Sequence, residues 1–439
     1  MPTQDTRHSA LYVRRFVIGV LFGIVPSLCL GANGLRPIGM SAESIAMGGA
    51  DLTLAHDTTS LHSNPAGLAA ISKAHFDFYG AGGIPRNVRH RDELGNDAEL
   101  ITPRKEFGYY NDYLGFGWRL DGQPLAIGLG LFGQSLKAEY RDLTTIHGTR
   151  DNLLSSSKTS SVSAGLGYAI DNRWSIGAAW SLIRTAATEH NLPDTSHFDL
   201  FDPSKSFFGY RMEDAKASGT GFRFGVLYQP SPFLHWGLAY SKKVKLTLTG
   251  DRFDSNQSAI GLGTVTYRNV RLTGLNQPQE LGTGVAIQTG ERWLTAFQLK
   301  WIDWSGAIGT TALTVEDPNN PVALSTITAS TQDNWRDQYV YAVGFAYRWD
   351  DAIRLRFGYN YGRNPVPPQT LRPLLAPIGE HHLTLGSGYS PTKHWQIDSS
   401  IEYLLPKSVR YTNLANQFGP NAAERSEGLA LHLSVAHRW

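Results

Sequence analysis

From about Ala74 to Trp439 the chain switches between large apolar residues and polar or small ones at every second position, in one stretch after another. The final stretch is the clearest. Leu429, Leu431, Leu433, Val435 and Trp439 fall on one face, interrupted only by His437, while Ala430, His432, Ser434, Ala436 and Arg438 fall on the other. Tyr339, Tyr341, Val343, Phe345 and Tyr347 alternate in the same way with Val340, Ala342, Gly344, Ala346 and Arg348. A repeat of two belongs to an extended strand, whose successive side chains leave opposite faces of a sheet. Strands are expected at 74–81, 106–119, 123–133, 158–170, 173–185, 217–229, 233–249, 279–289, 292–304, 335–348, 351–362, 380–389, 393–405 and 428–439. That makes fourteen, an even number.

The connections narrow the architecture further. Tight turns such as Asp121-Gly122-Gln123, Asp171-Asn172, Pro230-Ser231-Pro232, Thr289-Gly290-Glu291, Asp350-Asp351 and Pro391-Thr392 alternate strictly with long polar links at 82–105, 134–157, 186–216, 250–278, 305–334, 363–379 and 406–427. Short turns on one rim and long loops on the other are the pattern of a closed antiparallel barrel in an outer membrane, with the short turns and both termini periplasmic. Aromatic residues gather beside the short turns: Trp118, Tyr168, Trp174, Tyr228, Trp236, Trp293, Tyr347, Trp349, Tyr389, Trp395 and Trp439. Indole and phenol rings prefer the headgroup boundary, where an apolar body and a polar handle are both satisfied. The mean hydropathy is slightly negative, which excludes a bundle of apolar helices but not a barrel, since only alternate strand residues face lipid.

The first residues read as an export signal, residues 1–32. Arg7, Arg14 and Arg15 precede an apolar run from Phe16 to Leu30, and the small residues Gly31 and Ala32 follow. Cys29, the single cysteine, lies inside that run, so the mature chain holds no thiol for metal, cluster or nucleophile chemistry. Removing the segment leaves 37 basic and 37 acidic residues, with no basic field for a nucleic acid. No cofactor, metal site or catalytic residue is expected.

Residues 33–73 lack the alternation and are rich in Gly, Ala, Ser and Asn. Gly48-Gly49 can end a short helix, and Asn64-Pro65 is a turn whose asparagine can cap Ala66 to Ile71. A barrel of this size has a lumen that leaks unless filled, and a compact polar segment before the first strand can fill it. The expected organisation is therefore a signal at 1–32, a hatch at 33–73 and a transmembrane barrel at 74–439.

The run from Gly39 to Leu68, with Gly48-Gly49-Ala50-Asp51, Asp57 and above all Asn64-Pro65-Ala66-Gly67, resembles the hatch of the FadL/TodX family of outer-membrane transporters for long-chain fatty acids and hydrocarbons. Trp301-Ile302-Asp303-Trp304-Ser305 is similar to the end of a middle strand in that family. So is Arg354-Leu355-Arg356-Phe357-Gly358-Tyr359, followed by Asn364-Pro365-Val366-Pro367. The ending on Trp439 resembles the signal read by the barrel-assembly machinery, with His437 a departure from the usual apolar residue. The resemblance implies a plugged barrel, set among outer-membrane lipid and lipopolysaccharide, that passes hydrophobic small molecules by diffusion; the fold needs no partner subunit, so a monomer is expected. Asp57, Asn64, Pro65, Ala66 and Gly67 are its expected gating residues.

Candidate substrate contacts come from the long links and the lumen face. Leu136, Leu192, Phe198, Phe201, Phe207 and Phe208 offer apolar surface, joined by Leu200 and Tyr210. Arg223, Arg354 and Arg356 could meet a carboxylate, or pair with lumen acids and hatch carbonyls. Two other functions fit a barrel: an enzyme acting on lipids, and a general aqueous porin. Against the first, no Gly-x-Ser-x-Gly motif accompanies the histidines, and His381-His382 are expected at the solvated outer rim.

Overall fold

A computed structural model describes residues 33–101, 109–202, 205–374 and 376–439. The expected signal segment with Cys29, and the expected start of the second strand at 106–108, lie outside these residues. The fourteen barrel strands are β1 (Ala74–Pro85), β2 (Tyr109–Arg119), β3 (Leu125–Thr144), β4 (Arg150–Ala169), β5 (Trp174–His197), β6 (Phe207–Ser231) and β7 (Leu234–Ser241), then β8 (Glu280–Thr289), β9 (Trp293–Ile302), β10 (Gln338–Arg348), β11 (Ile353–Gly362), β12 (His381–Tyr389), β13 (Trp395–Thr412) and β14 (Asn421–Arg438). Each pairs antiparallel with the next, and β14 returns to β1 in a ladder running from His75 opposite Arg438 to Pro85 opposite Gly428. Closure leaves no free edge, which a bilayer requires because it offers backbone amides no other partner. No helix among the described residues is long and apolar enough to cross a membrane.

Side-chain exposure follows the alternation. Leu129, Leu131, Val162, Phe224, Phe297, Tyr341, Leu385 and Leu433 point outward, while their neighbours in sequence face a filled interior. At the rim of the short turns, Trp174 stacks on Tyr228 at 4.0 Å and Trp293 packs against Tyr347 at 4.6 Å. His437 sits in this girdle, its ring 4.2 Å from Trp439 and 4.5 Å from Trp395.

Several expected long loops are instead the upper halves of strands. The links 134–157, 186–216 and 406–427 largely continue the ladders, so β3 and β4 stay paired as far as Thr144 opposite Arg150, and β13 and β14 as far as Thr412 opposite Asn421. Above the bilayer the outer face meets water, so the apolar side of the pattern disappears although the hydrogen bonds continue. The seventh strand ends at Ser241 rather than 249. Outer strands are folded into other links: Arg89–Asp92 with Asp97–Glu99, and Thr264–Thr273 with Thr310–Pro318, which pairs in turn with Thr326–Gln332. The last three cover one side of the mouth and bury Val265, Tyr267, Leu272, Leu313 and Val315 beneath them.

Candidate functional site

The N-terminal segment folds inside the ring as three short helical turns. Ser41 caps Ala42–Ala46, accepting from Ser44 N–H at 3.1 Å. Asp57 caps Thr58–Leu61, its carboxylate accepting from the backbone N–H of Thr59 at 2.9 Å and from its hydroxyl at 2.6 Å. Asn64 caps Pro65–Ala70 and ties the segment to the wall. Its Oδ1 accepts from Ala66 N–H at 3.2 Å, and its amide donates to Leu52 O at 3.0 Å and Val226 O at 3.1 Å. Pro65 at the first helical position forgoes an N–H that would have no partner there. Ala66 is fully enclosed, and a side chain at Gly67 would meet Ala55 at 2.5 Å.

The wall is shaped to receive these turns. Ala126, Gly167, Gly177, Gly225, Ala239 and Gly282 face one another across six neighbouring strands, a row of small residues. A Cβ at Gly177 would lie 2.3 Å from the Pro65 carbonyl carbon, and one at Gly225 would lie 1.9 Å from Asn64 Oδ1. Further round, a Cβ at Gly358 would lie 2.1 Å from Gly48 N. Glycine permits this backbone-to-backbone approach.

Charge holds the segment at two points. Arg356 is buried between Glu43 of the segment, at 2.6 Å, and Asp398 of the wall, at 2.7 Å. On the other side Arg36 reaches Glu280 at 2.7 Å, with Lys300 3.8 Å from the same carboxylate. Arg223 donates to Ser63 O at 3.3 Å. Thr58 is held by Asp77 through its N–H at 2.9 Å and its hydroxyl at 2.5 Å.

Two cavities adjoin beside the segment, with Arg36, Gln134, Thr159 and Gln277 lining both. The upper one, about 110 Å³, is walled chiefly by Leu35, Leu136, Leu246, Leu248, Leu275, Trp304 and Ile308. The lower one, about 90 Å³, is polar, with Arg36, Arg223, Lys300, Glu280 and Asp51. An apolar chamber above a charged one can hold a molecule with an apolar body, and residues 35–40, 51–52 and 62–63 of the N-terminal segment, outside its helical turns, form part of the lining.

The expected contact residues separate into groups. Leu136 lines the apolar cavity and Arg223 the polar one. Leu192 and Phe207 are buried in an outer cluster with Tyr140 and Leu143, and Phe208 packs against it. Phe198 and Phe201 are exposed outer residues, Phe201 almost wholly so. Arg356 is engaged in the ion-pair network above, and Arg354 on the same face is exposed at the short-turn end of β11. His382 departs from expectation. It is buried in the lumen, where Glu402 lies between it at 2.7 Å and His432 at 3.3 Å, and His432 meets the Tyr79 hydroxyl at 3.0 Å. The even strand positions of β12 face inward, so only His381 reaches the outer face, against Tyr361. The sequence reading missed Leu35, Arg36, Glu43 and Glu280. Trp304 was in view only as part of a motif: Asp303 caps the turn that carries it, and its indole donates to Gln338 at 3.2 Å.

Comparison with known proteins gives one family. Residues 31–438 match the family model described as outer membrane protein transport protein (OMPP1/FadL/TodX). The chain is 22% identical over 323 residues to a long-chain fatty acid transport protein of Escherichia coli O6:H1, covering 68% of each. It is 21% identical to that of Salmonella typhi, covering 46% of each, so it matches about half the length of that relative. Among solved structures, the toluene transporter TodX of Pseudomonas putida superposes with a TM-score of 0.76 at 20% identity, covering 94% of this chain and all of that one. A FadL homologue of Pseudomonas aeruginosa superposes at 0.68 and 18% identity, covering 94% of this chain and all of that one.

Proposed function

Because this chain belongs to the OMPP1/FadL/TodX family of outer membrane transport proteins, we propose that it passes hydrophobic small molecules, long-chain fatty acids or related hydrocarbons, across the outer membrane of a Gram-negative cell by passive diffusion. The observation that carries this reading is the apolar cavity of Leu136, Leu248, Leu275 and Trp304, which Leu35 and Arg36 of the N-terminal segment also line. An apolar solute crosses the lipopolysaccharide leaflet slowly, and an apolar chamber inside the barrel offers it another route. Fatty-acid transport in the curated relatives and toluene transport in TodX both fit such a chamber.

In this reading residues 33–73 are the hatch, and Asp57, Asn64, Pro65, Ala66 and Gly67 form its switch. Both termini face the periplasm, Trp439 is read by the assembly machinery, and no bond of the substrate is broken on the way. The test is uptake of a radiolabelled long-chain fatty acid and of toluene by a deletion strain carrying the wild type or the double variant Asn64→Ala/Pro65→Ala. We expect the variant to change uptake several-fold while its heat-modifiable mobility stays that of a folded barrel. Equal uptake in a correctly assembled variant would remove the switch, and no uptake of either compound above the empty strain would remove the transport reading itself.

A further inference from the structure

A third and larger cavity, of about 330 Å³, lies at the outer mouth. It sits higher on the same strands: Leu153 of β4 and Glu189 and Asn191 of β5 line it, whereas Ser157, Thr159 and Thr185 line the apolar cavity below. From Thr185 to Glu189 the rise is on the order of 13 Å. The outer face of β5 is apolar at Ile176 and Trp180 and charged by Arg184, so Glu189 stands above the lipid. The lining differs in kind from the apolar cavity. Nine of its sixteen residues carry amide or hydroxyl side chains. The ionisable ones are Arg372, paired with the buried Asp333 at 3.1 Å, and Glu189. Burial pushes the Glu189 carboxyl up to about 8, against the opposing Tyr210 hydrogen bond and Arg372, so at neutral pH it presents an O–H.

Two polar atoms in this lining are buried without a hydrogen-bond partner, Glu189 Oε2 and Asn416 Nδ2. Stranding such groups costs free energy, and a ligand that supplies an acceptor to each recovers it. We propose that the outer cavity binds the uncharged, oxygen-bearing head of an amphiphilic substrate, a hydroxyl or carbonyl group on an otherwise hydrophobic molecule. The head accepts from Asn416 and from Glu189, and Leu374 and Phe418 take the first part of the apolar body. A carboxylate finds no free cation in this lining, and a plain hydrocarbon leaves both donors unmet. The proposal rests on the transport reading and deepens it: among hydrophobic solutes, entry favours neutral oxygenated ones.

The test is equilibrium dialysis of the mature protein in lipid nanodiscs, with empty nanodiscs subtracted, against radiolabelled 2-phenylethanol, ethylbenzene and phenylacetate. The alcohol should bind at least five-fold more tightly than either of the others. Asn416→Leu and Glu189→Leu should each reduce alcohol binding about five-fold, the value of one hydrogen bond, and leave ethylbenzene binding in the deeper cavity unchanged. Glu189→Gln, which keeps a donor, should retain most of it. Equal binding of alcohol and hydrocarbon, tightest binding of phenylacetate, or indifference to both leucine variants would overturn the proposal while leaving transport standing. Failure of all three to bind the wild type would overturn both.

Discussion

Arg356 shows how one side chain can hold the N-terminal segment in place inside the ring. Its guanidinium has several donors in a fixed fork, and two carboxylates from different parts of the chain divide them, Glu43 and Asp398. Gln396 adds a donor to Asp398 at 2.7 Å, so the group is well supplied with hydrogen bonds. Ion pairs of this kind add little net stability, but losing one partner strands the others, at roughly 3–5 kcal/mol. Arg356→Ala therefore leaves two buried acids facing each other. The barrel ladder does not run through Glu43, so the cost falls on the seating of the N-terminal segment. In planar bilayers we expect frequent ion-conducting openings from this variant, near-silence from the wild type, and fewer openings from Glu43→Gln/Arg356→Gln than from the single variant. A silent Arg356→Ala would mean that the asparagine cap and the glycine contacts seat the segment without the ion pair.

The elements of the wall are matched to the N-terminal segment by what they lack. Across β3 to β8 the row from Ala126 to Gly282 carries no side chain larger than a methyl group, and Pro65 and Ala66 lie directly on it. Gly177→Val should keep its strand, since valine favours strands, yet push the Pro65–Ala66 backbone off the wall. A folded barrel with raised conductance is the expected outcome, and an unchanged current would show that the contact yields. The alternation of glycine with apolar residues at Gly128, Gly165 and Gly167 was plain in the sequence. What pressed against it was not, because strand periodicity records only which face a residue occupies. The same limit hid the outer hairpin. Arg89–Asp92 reads as polar link, yet His90 is fully buried between Glu424 at 2.6 Å and Asp92 at 2.9 Å, with Tyr411 donating to the same Glu424. Burial opposes the imidazolium, but the two carboxylates outweigh it and hold His90 up at about 9. A folded value above the unfolded one near 6.5 gives stability that is complete below about pH 6.5 and is lost as pH rises through 9. Limited proteolysis of residues 86–101 should accelerate between pH 8 and 10, and His90→Gln should flatten that dependence.

In the whole molecule, the ring is built independently of what it contains. All fourteen strands close through backbone pairs that involve no residue before Ala74, and the closing β1–β14 ladder is eleven residues long. Membrane insertion depends on the outward apolar face, which the N-terminal segment never touches. This is why strand number and alternation could be read from the sequence, while the cavities could not: they are made by Leu35, Leu136, Leu275 and Trp304, far apart in the chain and joined only by closure. The same independence predicts that deleting residues 33–70 behind an intact signal leaves a barrel that assembles and shows heat-modifiable mobility. Its lumen would then be lined by Arg223, Lys300 and Arg356 facing Asp77, Glu280, Asp398 and Glu402, polar groups that hold water. Such a barrel should carry a large, steady current and admit hydrophilic antibiotics, without the preference for apolar solutes proposed for the intact chain. If the truncated chain fails to assemble although it is exported, the segment is a part of the folding nucleus rather than a plug set into a finished ring.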